Sequence, residues 1–105
     1  MALGNDVIAR IGTGTITTTK TQLFNEESGA VIKTIIISNS LESEVTLTLT
    51  LDNVDIVKKI PSHDFIIINN VIVVNKIEGI ITCENTEILE PSINYHISGI
   101  LLGSE

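Results

Sequence analysis

The chain has 105 residues, a length that suits one domain, and 13 acidic against 6 basic residues give it a formal net charge of −7. The bases are scattered, whereas nucleic-acid binding needs clustered Lys and Arg to neutralise phosphates. We therefore predict neither nucleic acid nor an anionic membrane surface as a partner. The single cysteine, Cys83, excludes an internal disulfide framework.

No run of residues approaches the roughly 20 apolar residues of a membrane helix. The first residues lack the basic and apolar regions of a signal peptide, so we expect synthesis and folding in the cytoplasm. Ile, Val and Thr are abundant while Ala occurs only three times. Because β-branched residues suit pleated sheets, this composition predicts an all-β chain.

The first predicted elements are short strands. Residues 7–11 predict a strand that Gly12-Thr13-Gly14 is expected to interrupt, and residues 15–24 predict a threonine-rich strand. Residues 25–29 are rich in turn formers and predict a loop. Residues 30–38 then predict a strand whose end is apolar on both faces.

The clearest predicted strand covers residues 44–52. It alternates apolar residues with threonines, at positions Val45, Leu47, Leu49, Leu51 and Thr46, Thr48, Thr50. Strict period two indicates a half-buried strand, and its threonine face suits water or a polar interface. After a turn at 52–55, residues 56–60 predict a short strand, and a turn follows at 61–64.

The most informative stretch covers residues 65–74, where two four-residue apolar runs flank Asn69-Asn70. Successive side chains of a strand point to opposite faces, so both faces are apolar here. A lone two-sheet domain shelters only one face of each strand. We therefore predict an interface with another protein, formed by Ile66, Ile68, Ile72 and Val74.

The remaining residues predict a turn at 75–79, a strand at 80–84, a loop at 85–92 and a closing strand at 93–102. Gly99 is expected to mark a bend or bulge in the last strand. About eight short strands at this spacing predict a single antiparallel β-sandwich, jelly-roll-like or immunoglobulin-like. We assign residues 7–105 to this domain and residues 1–6 to an N-terminal arm.

Side chains with catalytic potential are few. His63 lies beside Asp64, and a histidine–carboxylate pair can serve as a general base. No recognisable nucleophile motif accompanies it, and a turn in which Asp64 bonds nearby backbone is the favoured interpretation. We predict no enzymatic activity and no catalytic residues.

Metal and phosphate sites are also not predicted. Cys83, His63 and His96 lack the paired spacing of structural zinc ligands, and Cys83 is expected to be a small buried hydrophobe. The segment Asp52-Asn53-Val54-Asp55 lacks the glycine and distal glutamate of a calcium loop. Gly12-Thr13-Gly14 precedes no helix that could bind phosphate, so a bulge or strand break explains it better. No cofactor is expected.

Four segments carry a resemblance. They are Ser28-Gly-Ala-Val-Ile-Lys-Thr-Ile-Ile-Ile-Ser-Asn-Ser40, the alternating residues 45–51, Ile60-Pro-Ser-His-Asp-Phe65 and Ile93-Asn-Tyr-His-Ile-Ser-Gly99. Together they resemble small β-sandwich proteins of tailed-bacteriophage virions, which occur as head decoration or accessory proteins and as modules of tails and fibres. The resemblance implies a structural role in a virus particle, with oligomeric packing, and it transfers no catalytic residues.

We therefore predict a structural virion protein of a tailed bacteriophage, with capsid decoration or head accessory ranked above a tail or fibre module. Its expected partners are itself, as a dimer or trimer, and other virion proteins such as the major capsid or tail protein. A lectin-like glycan-binding sandwich is the main alternative. It is disfavoured because the aromatic platforms that sugars prefer are scarce: Phe24, Phe65 and Tyr95.

Overall fold

The computed structural model describes residues 8–69, 71–82 and 93–102. These residues form seven strands: β1 (Ala9–Thr15), β2 (Thr21–Asn39), β3 (Val45–Leu51), β4 (Val54–Ile60), β5 (Asp64–Ile68), β6 (Ile72–Thr82) and β7 (Ile93–Leu101). No helix in these three ranges is long and apolar enough to cross a membrane. The predicted arm at residues 1–6, the loop at 85–92 and Cys83 lie outside the described residues.

All strand pairs are antiparallel, in the order β1-β7-β2-β6-β3-β4, with β5 beside β2. The predicted all-β antiparallel class is confirmed. The hydrogen bonds join the seven strands into one sheet, so the pairing does not separate the two layers that a sandwich would have.

β2 is the strand that holds the sheet together. β7 pairs with its second half from Ala30 to Asn39 along one edge. Along the opposite edge, β6 pairs with its first half and β5 follows from Ile35 onward. Both edges of β2 are therefore occupied along most of its second half.

The sheet curves around one core because β2 bends strongly. Tyr95 pairs with Ile37 of β2, yet its hydroxyl donates a 3.0 Å hydrogen bond to the carbonyl of Leu23. A straight strand would separate Leu23 from Ile37 by about 46 Å, at roughly 3.3 Å per residue. No tyrosine spans that distance, so the two halves of β2 must face each other across the core. Ladder irregularities along β2 supply the bend, since bulges kink a strand.

The core is a single cluster of aliphatic side chains with two aromatic rings. β3 follows the predicted alternation, with its apolar residues buried and its threonines half-buried. Burial of apolar surface at roughly 25 cal/mol per Å² is the main force holding such a sheet closed. The fully buried large side chains are Ile16, Ile32, Ile35, Ile37, Val45, Leu47, Leu49, Ile60, Ile77, Ile81, Ile93 and Ile97.

The loop predicted at residues 25–29 is part of β2. Strand pairing is nevertheless interrupted there, because four residues between Asn25 and Ala30 lie opposite the single residue Asn75. The side-chain amide nitrogen of Asn75 donates to the backbone carbonyls of Glu26 (3.2 Å) and Glu27 (2.9 Å). These bonds hold the unpaired residues of β2 against β6. The turn-forming residues therefore widen the strand without ending it.

Three other predicted boundaries are wrong. The strand predicted at residues 15–24 is divided, because Thr15 ends β1 and β2 begins only at Thr21. Gly12-Thr13-Gly14 does not end a strand, since β1 continues through it after a register shift between Arg10 and Gly12, as a bulge would produce. The turn predicted at 75–79 lies inside β6, because Ile77 is fully buried between its partners Phe24 and Leu51. Burial of Ile77 therefore keeps this segment extended.

Candidate docking surface

The outward side of β5 and of the first residues of β6 is apolar. Both before and after position 70, the even-numbered residues point inward and the odd-numbered residues point outward, as the burial of the described residues shows. The outward apolar residues are more than half exposed: Phe65 (53%), Ile67 (52%), Val71 (66%) and Val73 (63%). We call these four residues the outer stripe.

The four residues predicted for the interface alternate with the outer stripe along the same segment, and their side chains point towards the core. Ile68 and Val74 are buried in the core, and Ile66 and Ile72 are partly buried and pack against it. Ile68 and Val74 therefore have almost no surface left for a partner. The observation that motivated the prediction, apolar side chains on both faces, holds in the structure, with the opposite alternation providing the exposed set.

The outer stripe widens onto β2, where it reaches Val31 and Ile36. Ile36 of β2 pairs with Ile67 and is itself exposed, and the half-buried Val31 pairs with Val73. On the other side of Ile36 the β7 partner is His96. Contiguous exposed apolar surface of this kind marks protein interaction sites more often than isolated exposed residues do.

The same segment is also a strand edge. Among the described residues β5 pairs only with β2, and β3 reaches β6 only from Ile77 onward. Asp52 ends the β3 ladder: its amide donates to the Lys76 carbonyl (2.8 Å), and its carboxylate accepts from the Asn75 and Lys76 amides. The backbone of β5 and the start of β6 therefore has one side without a strand partner in the part of the chain described.

An open concavity of about 290 Å³ lies at the β5 end of the stripe. Its lining comprises Ser38, Asn39, Ser40, His63, Asp64 and Phe65. The Asp64 carboxylate accepts a 2.7 Å hydrogen bond from the Phe65 amide, as the turn interpretation predicts. His63 has a φ of 55°, a left-handed conformation typical of tight turns.

The remaining polar candidates make structural contacts. Asp55 accepts from the Thr50 hydroxyl (2.7 Å), and the Asp52 carboxylate is engaged by β6, so this turn binds protein groups. His96 lies 3.4 Å from the Ser98 hydroxyl on the outer face of β7. Across the three described ranges, no three His, Cys, Asp or Glu residues cluster as metal ligands would.

Burial raises the pKa of the Tyr95 hydroxyl above its usual value near 10, because desolvation disfavours the phenolate. The ring sits against β1, where a Cβ atom on Gly14 would lie 3.0 Å from the hydroxyl oxygen. The absence of a side chain at Gly14 therefore leaves room for the Tyr95 ring, which packs against this glycine.

Comparisons with known proteins give no relative. No family model matches the chain, no curated protein is similar to it, and no solved structure shares its fold at a significant level.

The sequence already contained the outer stripe, but it did not indicate which alternation faces inward. Both sets of side chains between residues 65 and 74 are aliphatic or aromatic apart from the asparagines, so hydropathy cannot separate them. The pairing of Ile68 with the fully buried Ile35 decides the orientation. Only the long-range contacts of the folded chain provide that information.

Proposed function

We propose that this protein is a structural subunit of a tailed-bacteriophage virion, with a capsid decoration or head accessory role ranked above a tail or fibre module. The observation that carries the proposal is the outer stripe, an apolar surface on an all-β domain. The resemblance of residues 28–99 to virion β-sandwich proteins supports the choice of particle.

We expect docking of the outer stripe on a protein surface to be energetically favourable. Covering apolar surface is worth about 25 cal/mol per Å², so side chains that are more than half exposed have several kcal/mol to gain together. A single domain is stable by only about 5–15 kcal/mol, so this gain is large on that scale. The expected partners are a second copy and a major capsid or tail protein.

Association with particles tests the proposal. Virus particles banded on a density gradient, from a culture producing the chain, should contain it at a fixed ratio to the major capsid or tail protein. Val73→Lys should be lost from the band because a charge would be desolvated in the docked stripe. Val57→Lys is the matched control, since Val57 is 61% exposed on β4, away from the stripe.

Two results would count against the proposal. One is absence of the wild-type chain from banded particles. The other is equal retention of Val73→Lys and Val57→Lys, which would remove the stripe from the docking mechanism. Circular dichroism of both variants should first establish that each keeps the β fold.

A glycan-binding role is a second candidate because Phe65 offers a half-exposed ring beside the polar groups of the concavity. Sugars stack on such rings and bond to neighbouring carboxylates and hydroxyls. A glycan array should then give a ligand that Phe65→Ala abolishes. An array without any ligand would eliminate this candidate.

A further inference from the structure

We propose that the open concavity at the β5 end of the outer stripe binds an arginine side chain of the partner protein, with the guanidinium group on the Asp64 carboxylate and the Phe65 ring. The inference rests on the proposed function, because it names the chemistry of the partner that covers the stripe. Three observations carry it: a carboxylate without a cation, a half-exposed aromatic ring and the size of the space that both border.

The Asp64 carboxylate has no lysine or arginine of its own chain as a partner. All six lysines and arginines lie in the described ranges, so the position of each is known. None of them lines the concavity, and the ion pairs in these ranges join Lys20 and Lys76 to Glu78. A cation of a partner can therefore reach Asp64 without displacing a base of this chain.

This carboxylate is held in position before a partner binds. Asp64 begins β5, and its backbone pairs with Asn39 of β2. One carboxylate oxygen accepts the 2.7 Å hydrogen bond from the Phe65 amide, which orients the group and leaves the other oxygen for a ligand. Because less side-chain freedom remains to be lost, a charged group binds here at a lower entropic cost than at a freely moving surface acid.

The Phe65 ring provides a flat apolar surface beside the carboxylate. It borders the same concavity as Asp64 and is 53% exposed. A guanidinium group is planar, stacks on aromatic rings and carries its N–H groups along its edge, so it can contact a ring and a carboxylate together. A lysine ammonium group has no planar surface of this kind. The site therefore favours arginine over lysine.

The size and the bonding of the concavity suit one side chain better than a sugar. Its volume of about 290 Å³ is at the lower limit of small-molecule sites, which span roughly 300–1,000 Å³. The Asn39 side chain already bonds four backbone groups, so its carboxamide is committed to the fold. Sugar hydroxyls need both donors and acceptors, whereas a guanidinium group needs acceptors alone, and the Asp64 carboxylate is an acceptor.

The concavity continues the outer stripe, since Phe65 belongs to both. A protein surface that covers Ile67 and Val71 therefore has its edge near Asp64. Interfaces commonly combine an apolar centre with arginine anchors, which are enriched among the residues that dominate binding energy. The net charge of −7 also attracts a basic partner surface over a longer range.

Nuclear magnetic resonance titration of the purified full chain measures this binding directly. The probe is N-acetyl-arginine amide at low salt, and its neutral isostere, N-acetyl-citrulline amide, is the matched control. The arginine probe should shift the Phe65 amide resonance and saturate in the millimolar range, an affinity that suits one isolated side chain. The citrulline probe should bind about tenfold more weakly, because it keeps the shape and loses the charge.

Two variants separate the carboxylate from the ring. Asp64→Asn keeps an oxygen for the Phe65 amide but removes the charge, so arginine binding should fall about tenfold. Phe65→Leu keeps apolar bulk but removes the ring, and it should weaken binding severalfold. Asp55→Asn should bind like the wild-type chain. It is the matched control because Asp55 is also an exposed carboxylate with one 2.7 Å hydrogen bond, from the Thr50 hydroxyl.

Equal binding of the arginine and citrulline probes would overturn the proposal, and so would equal arginine binding by Asp64→Asn and Asp55→Asn. Methyl glucoside is titrated in parallel. A response of the Phe65 amide to this sugar without a response to the arginine probe would overturn the proposal in favour of the glycan candidate.

Particle binding separates this inference from the proposed function. Asp64→Asn should leave the banded particles at a lower salt concentration than Asp55→Asn, because it lacks the contact with the partner's arginine. Arginine binding by a chain that is absent from particles refutes only the virion role. Retention on particles by a chain that does not bind the arginine probe refutes only this inference.

Discussion

Asn39 is the only buried polar side chain among the described residues, and it joins three segments of the chain. Its amide nitrogen donates to the carbonyls of Ser43 (3.0 Å), Ile60 (3.1 Å) and Pro61 (3.1 Å). Its amide oxygen accepts from the Leu41 backbone nitrogen (2.9 Å). One side chain therefore fixes both the β2–β3 connection and the end of β4.

Asn39→Ala should lower the free energy of unfolding by about 3 kcal/mol, because several buried backbone groups lose their partner at once. Urea denaturation followed by circular dichroism measures the change. Asn25→Ala is the matched control, since Asn25 is exposed and makes only a 3.4 Å contact with Gln22, and it should cost less than about 0.5 kcal/mol. Equal costs for the two variants would contradict the bridging role.

Among the glycines that the structure describes, Gly99 is the one where a Cβ atom would meet the tightest backbone contact. A Cβ atom there would lie against the Val31 carbonyl oxygen, and 3.2 Å from the Cα atom of Ile32. Both obstacles are backbone, beside the bulge that separates Ile32 from Thr34. The bulge predicted in the last strand lies instead on β2, where Lys33 is the extra residue opposite the step from Gly99 to Ser98.

Gly99→Ala should destabilise the chain by about 2 kcal/mol or more, because β2 and β7 would have to separate. Gly12→Ala is the control, since its Cβ atom would meet the Cδ1 atom of Ile97 at 3.3 Å, and that flexible end can move. Its cost should be about 1 kcal/mol or less. Thermal melts of the two variants should differ in this order, and the reverse order would contradict the argument.

At the level of elements, the sequence predicts strands best where only one alternation is apolar. The sequence predicts a strand at residues 44–52 and the structure has β3 at Val45–Leu51, because alternating threonine and aliphatic residues allow only one orientation. The sequence predicts β5 and the start of β6 as strands. It does not predict which of their two alternating sets of side chains points into the core, because both sets are apolar. The candidate surface was therefore located by sequence and oriented only by the fold.

In β2 the local sequence signal predicts a loop where the structure has a continuous strand. Three turn formers among residues 25–29 (Asn25, Ser28 and Gly29) predict a loop between two strands, and the local preference is real, since the ladder leaves its register there. The strand continues because Asn75, 48 and 49 residues away in sequence, binds the carbonyls of Glu27 and Glu26. A long-range hydrogen bond of this kind has no local signal.

Beyond the ladder between β3 and β6, the turn of the β3–β4 hairpin is attached to β6 through Asp52, which has a φ of 59°. Asp52→Ala should cost about 2 kcal/mol, because the Asn75 and Lys76 amides lose their acceptor and alanine disfavours positive φ. Asp52→Gly should cost about 1 kcal/mol, because glycine accepts the conformation.

The exposed neighbour Asn53 provides the control for Asp52. Asn53→Ala should change the free energy of unfolding by less than about 0.5 kcal/mol in urea denaturation. Hydrogen exchange should report faster exchange at the Asn75 and Lys76 amides in Asp52→Ala than in Asn53→Ala. Unchanged exchange at both amides would show that the hairpin is held by other contacts.

At the scale of the whole molecule, extents of 50 × 22 × 21 Å describe an elongated domain built along one long bent strand. Composition and periodicity predict the all-β antiparallel class, but they do not predict that β2 links both halves of the core. That link depends on the Tyr95 hydrogen bond to Leu23 and on the packing around it. The contribution of this hydrogen bond to closure of the sheet can therefore be tested by changing Tyr95.

Tyr95→Phe should lower the free energy of unfolding by about 1 kcal/mol, the usual net value of one hydrogen bond. The stability contributed by the hydroxyl is fully present below pH 10, the ordinary pKa of tyrosine, because the folded pKa is raised above it. It is lost as the pH rises through the folded pKa. Tyr95→Phe should therefore remove part of the alkaline decline in stability.

Because Tyr95 is the only tyrosine and tryptophan is absent, tyrosinate absorbance reports this hydroxyl alone. The absorbance midpoint should lie above pH 10 in the folded chain and return to about 10 in denaturant. A midpoint that does not change on unfolding would mean that the hydroxyl is hydrated. In that case the hydrogen bond to Leu23 would not hold the two halves of β2 together, and the curvature of the sheet would depend on aliphatic packing alone.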